Sequence, residues 1–241
     1  MSIEQSLAVV RRKIKETMEK AGRAAEPLKL VAVSKTVPEE RVLEAYHAGQ
    51  KIFGENKVQE WEKKYRVLPT DCEWHVIGRL QTNKIKYLNQ HVALIHSLDR
   101  FNLLEKLNEE GKARNIVWKT LLQVNVAGDK AKAGLEVEEV QDFLLTARNG
   151  FNVEIQGLMT IGALDAGSRE TRGFFRKLRE IRDDLHRKGI CRKEAFRELS
   201  MGMSQDYLLA IEEGATIIRI GSSIFGQRNN SEELMAEDKN K

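Results

Sequence analysis

Hydrophobic and polar positions follow two periods along the chain, one typical of helices and one of buried strands. Over residues 2–21 an apolar side chain recurs at every third or fourth position, from Ile3 to Met18, as in an amphipathic helix. Gly22 should end this helix, because glycine readily adopts the left-handed conformation found after many helix C-termini. Short runs such as LVAVS and TIIRI are almost entirely apolar, which predicts strands that are buried on both faces.

A helix-patterned stretch followed by a short apolar run occurs eight times. Six of the helical stretches should end at a glycine: Gly22, Gly49, Gly111, Gly150, Gly189 and Gly214. Two further transitions, near Pro69 and near Asn89, lack the glycine but show the same change of period. The predicted strands cover residues 28–34, 51–54, 73–77, 92–96, 116–125, 153–159, 196–199 and 216–220.

Eight such repeats predict an α/β fold, a single (β/α)8 TIM barrel with an extra N-terminal helix. Barrels of this type take about 250 residues, which agrees with the length of 241. We expect the barrel to occupy residues 1–228 and a polar, flexible tail to occupy residues 229–241. An open, doubly wound sheet is the structural alternative.

Composition and charge narrow the class of protein. Hydrophobic residues make up 41% and charged residues 32% of the chain, so it can form a core and is not a disordered polyelectrolyte. No apolar run reaches the ~20 residues of a membrane-spanning helix, and no signal peptide is evident, so a cytoplasmic protein without a membrane partner is expected. Cys72 and Cys191 have no metal-ligand spacing, and no metal site is predicted. The net charge of +4 is spread among alternating signs, which argues against nucleic-acid binding.

Candidate chemistry is sought after the strands, because barrel enzymes carry their sites at the C-terminal ends of the strands. Lys35 directly follows LVAVS. A lysine desolvated beside an apolar strand end has a lowered pKa and can form a Schiff base with an aldehyde or ketone. A lone lysine at a strand end is, however, more often solvated or paired.

The loops after the seventh and eighth strands, LSMGMSQD and IRIGSSIFG, each combine a glycine with serines. Such loops offer backbone N–H groups and hydroxyls to an anion, at the place where barrels commonly bind phosphate. The structural alternative is that Gly202 and Gly221 form tight turns and that Ser204 caps the next helix, assisted by Asp206. Two such loops favour phosphate, and with Lys35 they predict a site for a phosphorylated carbonyl compound.

Other polar residues have mainly structural interpretations. His75 lies inside a strand and is expected to line the barrel, although a role in the site stays open. Lys84 either contacts a ligand or opens the following helix, as do Gln81 and Asn83. Met159 should pack in the core of the barrel. Four arginines near residue 168 should form the solvated face of a helix: Arg169, Arg172, Arg176 and Arg179.

Several separated motifs together resemble one family. They are AVSKTVP, FGENKVQE, HVIGRLQTNK, GLMTI, LSMGMSQDY and IRIGSSIFG, in this order. The chain is similar to the YggS/PROSC family of pyridoxal phosphate homeostasis proteins over nearly its whole length. The resemblance implies a barrel like the N-terminal domain of alanine racemase, with pyridoxal phosphate (PLP) bound as a Schiff base to Lys35. It also implies that Arg219 faces the pyridine nitrogen and that Asn56 contacts the ring side of the cofactor.

For the phosphate, the resemblance implies contacts from Ser200, Gly221 and Ser222, with backbone help near Met201. Many members have Thr and Ala where this chain has Ser222 and Ser223, which keeps a hydroxyl for the phosphate. The loop from residue 162 to 168 is shorter than in many members and lacks their proline-containing stretch.

The family implies a carrier or regulator of PLP that supplies PLP-dependent apoenzymes, and a monomer is expected. Alternatives are a PLP-dependent enzyme with weak amino-acid racemase activity, or a Schiff-base aldolase acting on a phosphosugar. A racemase of this fold needs a second base, conventionally a tyrosine from another domain, which this chain is not expected to supply. An arginine at the ring nitrogen would leave that nitrogen unprotonated and weaken the ring as an electron sink.

Overall fold

Eight parallel strands form a closed barrel in chain order, as predicted. In the computed structural model, residues 1–129, 132–147, 151–162 and 166–227 are described. The strands are β1 (Lys29–Val33), β2 (Ile52–Glu55), β3 (Glu73–Val76), β4 (Val92–Leu98), β5 (Trp118–Gln123), β6 (Val153–Met159), β7 (Glu198–Ser200) and β8 (Ile217–Ile220). Strand β1 pairs with β8 through Val31 and Arg219, which closes the barrel and excludes the open sheet. All eight predicted strands are confirmed to within two residues at each end.

Helices surround the barrel. They are α1 (Ile3–Lys20), α2 (Glu39–His47), α3 (Val58–Val67), α4 (Phe101–Arg114), α5 (Val140–Ala147), α6 (Ser168–Arg187), α7 (Tyr207–Glu212) and α8 (Ser222–Phe225), with 3-10 turns at Thr82–Tyr87 and Val137–Glu139. The predicted N-terminal helix is α1, which begins after a capping box between Ser2 and Gln5 and packs against α2, α7 and α8. None of the described helices is long and apolar enough to cross a bilayer.

The predicted glycine ends are confirmed at four positions. Gly22, Gly49, Gly189 and Gly214 all have positive φ angles directly after helices. Gly111 was expected to end a helix but lies inside α4, which continues to Arg114 and ends at Asn115, a residue with a left-handed φ of 54°. A Cβ at position 111 would lie 2.6 Å from the carbonyl oxygen of Ile116, so this glycine serves close packing instead. Gly150 and the predicted tail, residues 229–241, lie outside the described residues.

Side chains on the two faces of the strands form two separate apolar groups. Val31, Leu94, Leu121, Met159 and Ile217 pack together inside the barrel, whereas a larger core fills the space between the strands and the helices. The predicted packing role of Met159 is thereby confirmed. Because strand residues alternate in direction, these five residues identify which side chains of β1, β4, β5, β6 and β8 point inward.

The arginines of α6 are more than a solvated face. Arg172, Arg176 and Arg179 all form ion pairs with Glu213, whose side chain is only 5% exposed. Arg176 is exposed and Arg172 and Arg179 are half-buried, so these side chains do lie on the outer face of α6. The ion pairs were missed because a helical period cannot show that a buried carboxylate from the end of α7 lies beside that face. Arg169 is exposed, as expected.

Candidate functional site

A cavity of about 1260 Å³ opens at the C-terminal ends of the strands. Its wall includes five residues that the sequence predicted for the site: Lys35, Asn56, Arg219, Gly221 and Ser222. Ser200 and Met201 are fully buried and are not part of this wall. Lys84, Gln81 and Asn83 do not line the cavity either; Lys84 lies in a 3-10 turn. The wall also contains residues that sequence reasoning missed, namely Thr36, Arg41, Glu60, Gln123 and Lys132.

Lys35 follows β1 and is half-buried, so it is less desolvated than the sequence suggested. The next residue, Thr36, has a φ of 61°, in the left-handed region that a β-branched residue rarely adopts. Its N–H donates to Oε2 of Glu60 on α3 at 2.8 Å, and its hydroxyl donates to the carbonyl oxygen of Lys35 at 2.6 Å. Glu60 therefore holds the turn that carries Lys35. Strain of this kind is concentrated at functional sites, where the surrounding structure enforces it.

Asn56 follows β2 and meets the end of β3 at very short range. A Cβ at position 78 would lie 2.4 Å from the carbonyl oxygen of Asn56, so only glycine permits this approach. The glycine of the HVIGR motif thus allows the ends of β2 and β3 to lie close together. This brings Asn56 into the same cavity wall as Lys35.

Behind these two strand ends, Glu55 and Lys64 form a buried ion pair. Together with Ser34 they make up what we call the outer cluster. Ser34 and Glu55 point away from the barrel interior, towards α3. Oε1 of Glu55 accepts from Nζ of Lys64 at 2.8 Å and from Oγ of Ser34 at 2.6 Å, and Nζ of Lys64 also donates to the carbonyl oxygen of Ser34. Burial raises the pKa of Glu55 to about 7, against the opposing effect of Lys64. The cluster joins the residues directly before Lys35 and Asn56.

Arg219 forms part of the floor of the cavity and is only 5% exposed. Its Nη1 donates to Oγ of Ser200 at 2.5 Å and its Nη2 to the carbonyl oxygen of Thr160 at 2.9 Å. Burial lowers the pKa of Arg219 to about 10, partly opposed by the charge of Asp206. No carboxylate among the described residues hydrogen-bonds to this guanidinium. A buried cation held only by neutral oxygens can offer its remaining N–H groups to a ligand.

Below Arg219 runs a chain of side chains through the barrel, which we call the inner column: Glu73, His75, His96, Ser200 and Arg219. Nδ1 of His96 lies 2.9 Å from Oγ of Ser200, and Nε2 of His96 lies 2.9 Å from Nδ1 of His75. Nε2 of His75 lies 2.9 Å from Oε1 of Glu73. His75 and His96 are completely buried. The expectation that His75 lines the barrel is confirmed, and its partner His96 could not be identified from spacing along the chain.

The loops after β7 and β8 meet at the hydroxyl of Ser204. Its Oγ accepts from the backbone N–H groups of Gly221 at 3.2 Å and of Ser223 at 3.4 Å. The structural alternative, in which Ser204 caps the next helix, is wrong, because α7 begins after Asp206. Oδ1 of Asp206 accepts from the N–H of Met203. Two backbone N–H groups directed at one oxygen form an arrangement that suits an anion.

Comparisons with known proteins agree with this geometry. The family model of the alanine racemase N-terminal domain matches residues 6–229. A pyridoxal phosphate homeostasis protein of Aquifex aeolicus is 47% identical over 229 residues, which are 95% of this chain and 99% of that protein. The structure of PipY of Synechococcus elongatus, determined without and with PLP bound, superposes with TM-scores of 0.83 and 0.80 at 36% and 34% identity. The match covers 93% of this chain and 100% of PipY.

Proposed function

Because the chain belongs to the family of pyridoxal phosphate homeostasis proteins, we propose that it binds PLP as a Schiff base on Lys35 and contributes to PLP homeostasis. The observation that carries this proposal is that Lys35, Arg219, Gly221 and Ser204 line one cavity, where Oγ of Ser204 accepts from the N–H groups of Gly221 and Ser223. An amine for the aldehyde, a donor for the ring nitrogen and a cradle for the phosphate complement three parts of PLP.

The residues present fit the cofactor. The N–H groups of Gly221 and Ser223 and the hydroxyls of Ser204 and Ser222 lie at the end of β8, where barrels commonly hold a phosphate. In this arrangement Ser200 holds Arg219 from below, and the loops above it offer their N–H and hydroxyl groups to the phosphate. The direct contact of Ser200 and Met201 with phosphate, implied by the resemblance, stays a prediction.

The surroundings of Arg219 favour a carrier over a catalyst. When bound, PLP withdraws electrons from a substrate carbon through its ring, most strongly when the ring nitrogen is protonated beside an acid. Arg219 cannot accept a hydrogen bond from a protonated ring nitrogen, because its pKa of about 10 keeps the guanidinium charged near neutral pH and a charged guanidinium only donates. The described lining of the cavity contains no tyrosine or histidine that could serve as a second base. We therefore expect the protein to retain PLP and to show little amino-acid turnover.

The test of the site is to trap the bound cofactor. Purified protein incubated with PLP should absorb in the near-visible range, and borohydride reduction followed by peptide mass analysis should find a pyridoxyl group on Lys35. Lys35→Ala should abolish the trapped adduct while some noncovalent binding persists through the phosphate loops. Lys84→Ala is the matched control, because it removes the same charge outside the cavity and should leave the adduct intact. An adduct only on another lysine, such as Lys132, would contradict the assignment.

A second experiment separates carrier from enzyme. Loaded protein should restore activity to a PLP-dependent apoenzyme even when a phosphatase destroys free PLP, whereas an equal amount of free PLP should fail. Sustained racemisation of common amino acids that disappears in Lys35→Ala would instead support the enzyme alternative. A colourless protein that takes up no PLP would favour the phosphosugar aldolase.

The expected oligomeric state, a monomer, can be tested by light scattering of the purified protein.

A further inference from the structure

The inner column connects the two ends of the barrel without a break. Glu73 begins β3 at the N-terminal end, where its Oε1 also accepts from Nζ of Lys29 at 3.1 Å, and its side chain is 35% exposed. Arg219 lies near the end of β8, in the cavity floor. Between them, His75, His96 and Ser200 are fully buried, and each consecutive pair lies within 2.9 Å. Nothing in the proposed binding of PLP uses the two histidines.

The ends of the column determine the direction of its hydrogen bonds. A guanidinium can only donate, so Ser200 must accept from Arg219 and has its own proton available for Nδ1 of His96. A carboxylate can only accept, so Nε2 of His75 must carry a proton towards Glu73. With both rings neutral, one assignment satisfies every member: Ser200 donates to His96, His96 donates from Nε2 to His75, and His75 donates from Nε2 to Glu73.

The surroundings keep the rings neutral. Burial lowers the pKa of both histidines, and the nearby positive charges of Lys29 and Arg219 add to this effect at His96. Glu73 and Glu198 oppose it at His75, where Lys29 acts in the same direction as burial. The hydrogen bond from His75, assisted by Lys29, lowers the pKa of Glu73 to about 2 against the opposing effect of burial, so the acceptor at this end is charged. Reversing the column would require an imidazolium at His75, since a neutral His75 donating to His96 would turn a lone pair towards the carboxylate.

We propose that His75 and His96 are positioning residues for Arg219, acting through Ser200 in this fixed order of donors, so that a change near Glu73 alters how Arg219 holds its ligand. The identity of the ligand as PLP rests on the proposed function. The order of donors does not, because it follows from the side chains of the column alone.

The first test uses the protein without added cofactor. In protein labelled with ¹⁵N in the histidine rings, NMR should show His75 and His96 as neutral rings protonated on Nε2 near neutral pH. His75→Gln and His96→Gln each remove one ring and assign the signals. A ring protonated on Nδ1, or a charged ring, at either position would overturn the proposal. This readout does not depend on PLP binding.

The second test is a double-mutant cycle on PLP affinity. His75→Gln should weaken PLP binding roughly tenfold, the order expected when a hydrogen bond to a charged group is misplaced. In a Ser200→Ala background, where the column is already disconnected from Arg219, the same substitution should change affinity less than about twofold. Leu94→Ala, on the same strand as His96 and inside the barrel, is the control for general loosening. Leu94→Ala should lower stability, and its effect on PLP affinity should not depend on whether Ser200 is replaced.

Equal effects of His75→Gln in both backgrounds would overturn the transmission through Ser200. If the unmodified chain binds no PLP at all, the proposed function fails, and the NMR measurement still decides whether the column has the stated order.

Discussion

Two glutamates on neighbouring strands respond to the same fold in opposite ways. Glu55 ends β2 and Glu73 begins β3. Burial raises the pKa of Glu55 to about 7, whereas hydrogen bonds from His75 and Lys29 lower the pKa of Glu73 to about 2. Glu55 points out of the barrel wall and is fully buried under α3, whereas Glu73 points into the barrel at an end where its side chain is 35% exposed.

The difference in pKa reflects how many partners each carboxylate has and how far solvent reaches it. In the outer cluster a single cation, Lys64, shares the carboxylate with the hydroxyl of Ser34, and Oε2 of Glu55 has no partner among the described residues. Desolvation there exceeds the stabilisation by the cation. In the inner column both ends are charged, solvent reaches Glu73, and only neutral groups occupy the middle. The outer cluster is therefore a local support for the ends of β1 and β2, whereas the column connects distant groups.

Removing the cation of the outer cluster should have the largest effect. Lys64→Met leaves the carboxylate of Glu55 buried without a cation and with only the hydroxyl of Ser34 as a partner, which should lower the unfolding free energy by about 3–5 kcal/mol at about pH 8. The loss should shrink at about pH 5, where Glu55 can take up a proton. Urea unfolding at both pH values measures it. The double variant Glu55→Gln/Lys64→Met should regain most of the stability; no recovery would mean that Lys64 acts through packing alone.

The charge of Glu55 itself should appear as a pH dependence of stability. Because its folded pKa is about 7 against an ordinary value of 4.5, the folded state retains a proton that the unfolded state has released. The resulting stability is fully present below about pH 4.5 and is lost as pH rises through 7. Over this interval the wild-type unfolding free energy should fall by about 3 kcal/mol more than that of Glu55→Gln. Parallel curves would contradict the raised pKa.

Glu73 should show the opposite sign. Its folded pKa of about 2 lies below the ordinary 4.5, so its contribution is present above pH 4.5 and is lost as pH falls through 2. Since the side chain is 35% exposed, screening by solvent reduces the effect to about 1–2 kcal/mol. Acid unfolding of Glu73→Gln should therefore begin from a lower stability at pH 6 and converge with wild type at low pH. If the stabilities of Glu73→Gln and wild type instead converged at high pH, the pKa of Glu73 would not be lowered in the folded state.

The smallest expected effect concerns the turn between the outer cluster and the cavity. Thr36→Asn should raise stability by about 1 kcal/mol, because asparagine tolerates the left-handed conformation better than a β-branched residue. Asn115, which ends α4 with a similar φ, allows the reverse substitution as a control. Asn115→Thr should lower stability by a similar amount in the same thermal unfolding assay. If both variants left stability unchanged, the conformation at Thr36 would carry no strain.

The barrel could be predicted because its signals are local. LVAVS and TIIRI are buried on both faces, and the glycines at 22, 49, 189 and 214 end helices by their own conformational freedom. The place of Lys35, Asn56 and Gly221 in the cavity wall could be predicted because each lies within two residues of a strand end, and parallel strands bring these positions to one end. Gly111 was misread because a glycine can serve either a helix end or a close approach, and only the neighbouring Asn152 and Ile116 distinguish the two.

The sequence by itself thus determined the order of strands and helices and the end of the barrel that carries the cavity. Only the tertiary structure decided which polar groups meet inside it. His75 and His96 are 21 residues apart, and Ser200 follows 104 residues later. Their hydrogen bonds exist because closing the barrel brings β3, β4 and β7 around a common interior, where burial and a few ångströms determine which group donates and which accepts.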